Sequence, residues 1–114
     1  MNLQKSLEIS FLNEFYGKLL TQKQQNILVE YYYNNMSLAE IAENNKVSRQ
    51  AVLDSLRKSE KQLKHFESIL QLVKKDNQLK QKVKQIVDKN DKQNLTSSKL
   101  QAELEALIKI WEGS

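Results

Sequence analysis

Residues 20–63 read LTQKQQNILVEYYYNNMSLAEIAENNKVSRQAVLDSLRKSEKQL, and this stretch decides the fold. Thr21 followed by Gln24 is a T-x-x-Q capping box, in which two side chains satisfy orphaned backbone N–H groups reciprocally. It opens a helix that runs to about Asn34 with Ile27, Leu28, Tyr31 and Tyr32 on one face. Asn34-Asn35 supplies the stop, because asparagine tolerates the left-handed backbone that ends helices. Ser37-Leu38-Ala39-Glu40 is a second box, starting a short helix with Leu38, Ile41 and Ala42 inward. Asn44-Asn45-Lys46 interrupts that pattern. Ser48 then caps a longer helix carrying Val52, Leu56, Leu63, Phe66, Leu70 and Val73, with small Ser59 in the one gap.

Short helix, tight turn and longer helix is the spacing of a helix-turn-helix. Ala42 is small where the two helices cross, Val47 plugs the turn, and Val52 and Leu56 return to the core. Arg49, Gln50, Leu53, Asp54 and Arg57 are left on the outward face. Lys46 occupies the turn position that favours glycine, so the turn must accommodate a side chain there.

Outward from this core, apolar residues at Leu3, Leu7, Phe11, Phe15 and Leu19, with Leu12 and Tyr16 beside them, predict an N-terminal helix over 3–20. Gly17 weakens it by roughly 1 kcal/mol but need not end it. The helix from Ser48 spans roughly 35–40 Å at 1.5 Å per residue, too long for a compact three-helix unit. Its far half needs a packing partner, which two C-terminal helices are expected to supply by folding back on it. The first carries Leu79, Val83, Ile86 and Val87. Asp88 to Asn94 has no apolar residue and reads as a loop. Thr96, Ser97 or Ser98 caps the last helix, which carries Leu100, Leu104, Leu107, Ile108 and Trp111 and ends at Gly113.

Composition agrees with an all-α chain. The 114 residues contain no proline, no cysteine and two glycines, which leaves little turn chemistry for a sheet. Leu, Ile, Val and Phe make up about 29% of the chain, above the ~20% associated with disorder. A single domain over 1–114 is expected, with 20–63 as its helix-turn-helix core and 70–114 as a C-terminal helical extension. Without cysteine there is no thiolate metal site or cysteine nucleophile, and the lone His65 excludes a histidine-rich zinc site. No catalytic constellation, metal site or cofactor is expected, and the chain reads as a binding protein rather than an enzyme. The N-terminal stretch carries Lys5, Glu8 and Glu14, unlike a signal peptide, and no apolar run is long enough to span a membrane. A cytoplasmic location without membrane insertion is the expectation.

The net charge of +4 is unevenly spread. Residues 1–36 are neutral, 37–69 carry +1, 70–93 carry +4 and 94–114 carry −1. Arg49 and Arg57 are the only arginines, and both fall in the candidate recognition helix, where a planar guanidinium suits guanine or phosphate. Ser48, Arg49, Gln50, Asp54, Arg57, Lys58 and Lys61 are therefore the candidate nucleic-acid or partner-binding residues. A basic stripe of Lys74, Lys75, Lys80, Lys82 and Lys84, extended by Lys89 and Lys92, is placed to hold phosphate without reading sequence. Of Tyr31, Tyr32 and Tyr33, two are expected in the core and one half-exposed.

Two resemblances rest on these residues. The pattern L-[ST], EIA and V-S-x-x-x-V in Leu20–Leu63 resembles region 4 of bacterial sigma factors. SLAEIAENNKVSRQAVLDSLRKSE, together with LTQKQQNILVEYYYNN and FLNEFYGKLLT, is similar to the YlxM family of small bacterial proteins. That resemblance implies a sigma-region-4-like domain with extra helices and a link to the signal recognition particle pathway. The implied partners are the particle's RNA or its GTPase, and the alternative is promoter DNA bound through the same helix. The long helix and Leu100–Trp111 offer more apolar surface than a small core needs, so a homodimer is a further expectation.

Overall fold

The computed structural model describes residues 3–93 and 96–113, and among them every regular element is helical. The helices are α1 (Leu3–Tyr16), α2 (Gln22–Tyr32), α3 (Leu38–Asn45), α4 (Arg49–Leu70), α5 (Leu72–Gln93) and α6 (Ser97–Glu112). They form two compact units, residues 1–70 with α1 to α4 and residues 71–114 with α5 and α6.

In the first unit, both capping boxes form as the sequence predicts. Thr21 accepts from the Gln24 N–H while Gln24 accepts from the Thr21 N–H, and Ser37 and Glu40 repeat the exchange. Asn35 takes the left-handed conformation after α2, with φ 55°. Ile27, Ile41, Ala42, Val52 and Leu56 form a buried cluster that locks α2, α3 and the first half of α4 together. Tyr31 and Tyr32 pack on it, edge to face at 5.0 Å, and the Tyr32 hydroxyl donates to Glu60, while Tyr33 stays half-exposed.

The far half of α4 packs against α1. Ile9, Leu12 and Tyr16 are buried here with Leu63 and Ser59. Of the apolar residues read along this segment, Leu12 and Tyr16 are buried, whereas Leu3, Leu7, Phe11, Phe15 and Leu19 are exposed. Helix α1 is apolar on more of its circumference than a single neighbour can cover. Polar anchors then select the face that is buried. Tyr16 donates to Glu67 at 2.5 Å and Lys5 approaches Glu60 at 3.6 Å, both on α4.

Three boundaries differ from the sequence reading. Helix α1 ends at Tyr16 and continues as a single 3₁₀ turn over Gly17–Leu19. A Cβ at Gly17 would lie 2.4 Å from the Asn13 carboxamide oxygen, so glycine permits that close approach. Helix α4 stops at Leu70 because Gln71 is left-handed, with φ 55°, which moves Val73 into α5. Helix α5 runs through the supposed loop to Gln93, since residues 88–93 contain neither glycine nor proline to stop it; Asn94 lies outside the described residues.

Candidate nucleic-acid interface

The turn between α3 and α4 is built by Lys46, Val47 and Ser48. Lys46 is left-handed, with φ 56° and ψ 44°, and its N–H donates to the carbonyls of Ala42 and Glu43. The Val47 N–H reaches the Ala42 carbonyl at 3.0 Å, completing a Schellman motif, and the Val47 side chain packs on the core cluster. Ser48 Oγ then accepts from the Ala51 N–H at 3.0 Å and starts α4. Glu30 on α2 accepts from Asn44 and Asn45 at 3.1–3.3 Å, which pins the end of α3. The angle at which α4 is presented is thus set by hydrogen bonds as well as by packing.

A left-handed lysine is a strained choice at Lys46. The conformation costs a side-chain-bearing residue roughly 1–2 kcal/mol, partly offset by the unfolded-state entropy that glycine would lose. Lys46→Gly is expected to raise the unfolding free energy by about 0.5–1 kcal/mol, measured by denaturant titration of helicity.

Helix α4 presents an exposed face. Ser48, Arg49, Gln50, Asp54, Arg57, Lys58 and Lys61 are all exposed, whereas Leu53, expected outward, is half-buried. Gln50, Asp54, Arg57 and Lys61 follow at steps of four, three and four, so they line one side of the helix. The Gln50 amide donates to Asp54 Oδ1 at 2.9 Å, which occupies one oxygen of the only carboxylate on this stripe. Ser48 spends its hydroxyl on the cap.

Alongside lies an open cleft of about 460 Å³, lined by Thr21, Lys23, Gln24 and Ile27 of the α2 end and by Ala51, Asp54, Ser55, Lys58 and Gln62 of α4. Gln24 Nε2 donates to Gln62 Oε1 at 2.8 Å across its floor. Lys23, which carried no signal in the sequence, thereby joins Lys58 at the edge of the α4 face. Only the packing of α2 on α4 brings them together.

The proposed basic stripe on α5 divides. Lys82 bonds Glu103 of α6 at 2.7 Å, and Lys89 reaches the same carboxylate at 3.3 Å. Their hydrogen bonds, that from Lys82 foremost, hold the Glu103 carboxyl below its ordinary pKa. Lys80 pairs with Asp76 one turn earlier on its own helix, at 2.8 Å. Lys74 and Lys84 are exposed, and Lys75 is half-buried with its ammonium near Gly113. The Lys92 side chain lies outside the described residues. Much of the local positive charge is therefore matched within the helix pair that carries it.

Two capped helices joined by a left-handed turn, the second presenting arginines outward, define a helix-turn-helix protein. The family model described as "Putative helix-turn-helix protein, YlxM / p13 like" matches residues 3–103, and the chain belongs to this family. It is 46% identical over 102 residues to the UPF0122 protein MYPE4850 of Malacoplasma penetrans, covering 90% of this chain and 92% of that protein. To the UPF0122 protein YlxM of Bacillus subtilis it is 38% identical over 112 residues, covering 98% and 97%. To the UPF0122 protein BH2485 of Halalkalibacterium halodurans it is 41% identical over 105 residues, covering 92% and 95%. Among the described residues, no helix is long and apolar enough to cross a membrane.

Proposed function

We propose that this protein binds nucleic acid through the outward face of α4, as a non-enzymatic accessory protein of the signal recognition particle pathway. One observation carries the binding reading: both arginines of the chain stand exposed on the helix that the turn presents. They are eight residues apart, about two turns or ~12 Å along α4 and roughly 80° apart around its axis. That spacing matches two contacts along one groove or backbone. Lys58, Lys61 and Lys23 flank them and add sequence-independent attraction to phosphate.

The pathway assignment rests on the family resemblance and makes the particle's structured RNA the first target to test, with its GTPase as the protein partner. A second reading, a transcription regulator on promoter DNA, is favoured by the helix-turn-helix geometry itself, since such a helix fits the major groove of B-form duplex.

Titrating the protein against the particle's RNA and against duplex DNA at several salt concentrations separates these cases. Neutralised phosphates release counterions, so log affinity falls linearly with log salt. We expect binding to the RNA with a slope corresponding to about three to five phosphates. Tighter binding to duplex DNA would transfer the assignment to the second reading. A salt-independent complex with the GTPase, unchanged by nuclease, would move the function to a protein contact.

A further inference from the structure

The cleft between α2 and α4 joins an apolar floor to a polar rim. Ile27, Val47 and Ala51 supply the floor, and Lys23 and Lys58 stand exposed at its edges. Gln24 Nε2 donates to Gln62 Oε1, which leaves the Gln62 amide nitrogen without an acceptor among the described residues. At about 460 Å³ the cleft falls within the ~300–1,000 Å³ range of sites for small organic groups, enough for one nucleotide.

Asp54 is the one carboxylate lining this cleft, and it also belongs to the outward stripe of α4. Arg57 and Lys58 follow it by three and four positions, the helical spacing at which ion pairs form. Among the described residues it pairs with neither: its partner is the neutral Gln50 amide, which donates to Oδ1 at 2.9 Å. A carboxylate accepts at about four lone-pair positions, so both oxygens keep capacity for further donors. The cations beside it draw in phosphate, whereas the carboxylate repels phosphate and any base edge made of acceptors. It fits such a surface where the ligand turns hydrogen-bond donors toward it.

Nucleobases differ in what they offer a carboxylate. Guanine alone carries two adjacent donors, N1–H and N2–H, on its Watson–Crick edge, spaced to meet two carboxylate oxygens. Adenine and cytosine present one amino group beside an acceptor, and the single uracil N3–H lies between two carbonyls. In a duplex the guanine edge is taken up by pairing, and the major groove shows only its N7 and O6 acceptors. We propose that the cleft takes one unpaired guanine nucleotide of an RNA. Asp54 accepts from N1–H and N2–H, Lys23 and Lys58 hold the flanking phosphates, and the base lies on the Ile27, Val47 and Ala51 floor. RNA offers such bases in loops and bulges, where proteins read this edge directly. This assignment rests on the nucleic-acid reading of α4, and it makes Asp54 the residue that sets specificity there.

Three RNA hairpins of one stem test this, with a loop of uridines, the same loop with one guanosine, and the same loop with inosine in its place. The full chain is expected to bind the guanosine hairpin about tenfold more tightly than the uridine one, through two hydrogen bonds to a charged group in an open site. Inosine keeps N1–H but lacks the N2 amino group, so its hairpin should fall between them, about threefold weaker than guanosine. Asp54→Asn replaces an acceptor by a donor that opposes N2–H. In that variant the three affinities should agree within about twofold, while binding to the uridine hairpin is kept or strengthened by the lost negative charge. Asp54 is exposed, and unchanged helicity of the variant confirms that it folds. Equal affinities in the natural chain, or a guanosine preference that survives Asp54→Asn, would overturn the guanine site while leaving nucleic-acid binding by α4 in place. Guanosine monophosphate that displaces the RNA at micromolar concentration would overturn the RNA occupant in favour of a free nucleotide. A chain that binds none of the hairpins and no duplex DNA would overturn both the site and the reading on which it rests.

Discussion

Ile41→Ala is expected to lower the unfolding free energy of the first unit by about 2–4 kcal/mol, the range for deleting a fully buried isoleucine from a packed core. Ile41 is 0% exposed and belongs to the cluster that joins α2, α3 and α4. Its side chain is one of only two buried in α3, so the eight-residue helix has little else to hold it. A helix of that length is unstable by itself in water, and packing supplies its stability. The substitution therefore loosens the turn as well as the core, and the presentation of α4 with it. Tyrosines 16, 31, 32 and 33 report the first unit, while the only tryptophan, Trp111, reports the second. Denaturant unfolding followed by both signals should show the tyrosine transition moving to lower denaturant and the tryptophan transition staying in place. Coincident movement of the two would show that the units unfold together.

Replacing Arg49 and Arg57 together by alanine is expected to weaken nucleic-acid binding by about 100-fold at low salt, as each lost bidentate or phosphate contact is worth about 1–3 kcal/mol. Both side chains are exposed, so the unfolding free energy should change by no more than about 0.5 kcal/mol. The salt dependence then says what the arginines touch. If they hold phosphates, the slope of log affinity against log salt becomes shallower by about two. If they read bases, affinity falls with the slope nearly kept and with discrimination between targets lost. Binding unchanged in the double variant would remove both residues from the interface and leave Lys23, Lys58 and Lys61 as the cationic contacts of that side.

Much of this protein is legible locally because helix starts and stops are chemical events within four or five residues. Thr21 with Gln24 and Ser37 with Glu40 form the two boxes in place, and Ser48 caps α4. Asn35 turns left-handed where asparagine is the stop, and Gly113 does the same after α6. Lys46 had to turn left-handed against its side chain if the helix-turn-helix spacing was to close, and it does. The outward face of α4 follows from the same periodicity, because a helix that buries Val52 and Leu56 exposes Gln50, Asp54 and Arg57.

What no local rule decides is which of two apolar faces a helix buries. On α1 the longer run of large side chains, Leu3 to Leu19, is open to solvent, and the shorter set of Ile9, Leu12 and Tyr16 meets α4. Hydrophobic burial is non-directional, so two stripes compete almost equally until a specific contact breaks the tie. Tyr16 to Glu67 and Lys5 to Glu60 link positions more than fifty residues apart and are invisible before the chain folds. Glu103 shows the same on α5, drawing Lys82 and Lys89 out of the apparent basic stripe from a different helix. The all-helical class, the helix-turn-helix and its exposed arginines were thus determined by residue order alone, through caps and periodicity. The buried face of α1, the place of Lys23 and the pairing of Lys82 and Lys89 with Glu103 were decided by tertiary structure, because each depends on a charge or surface contributed by another helix.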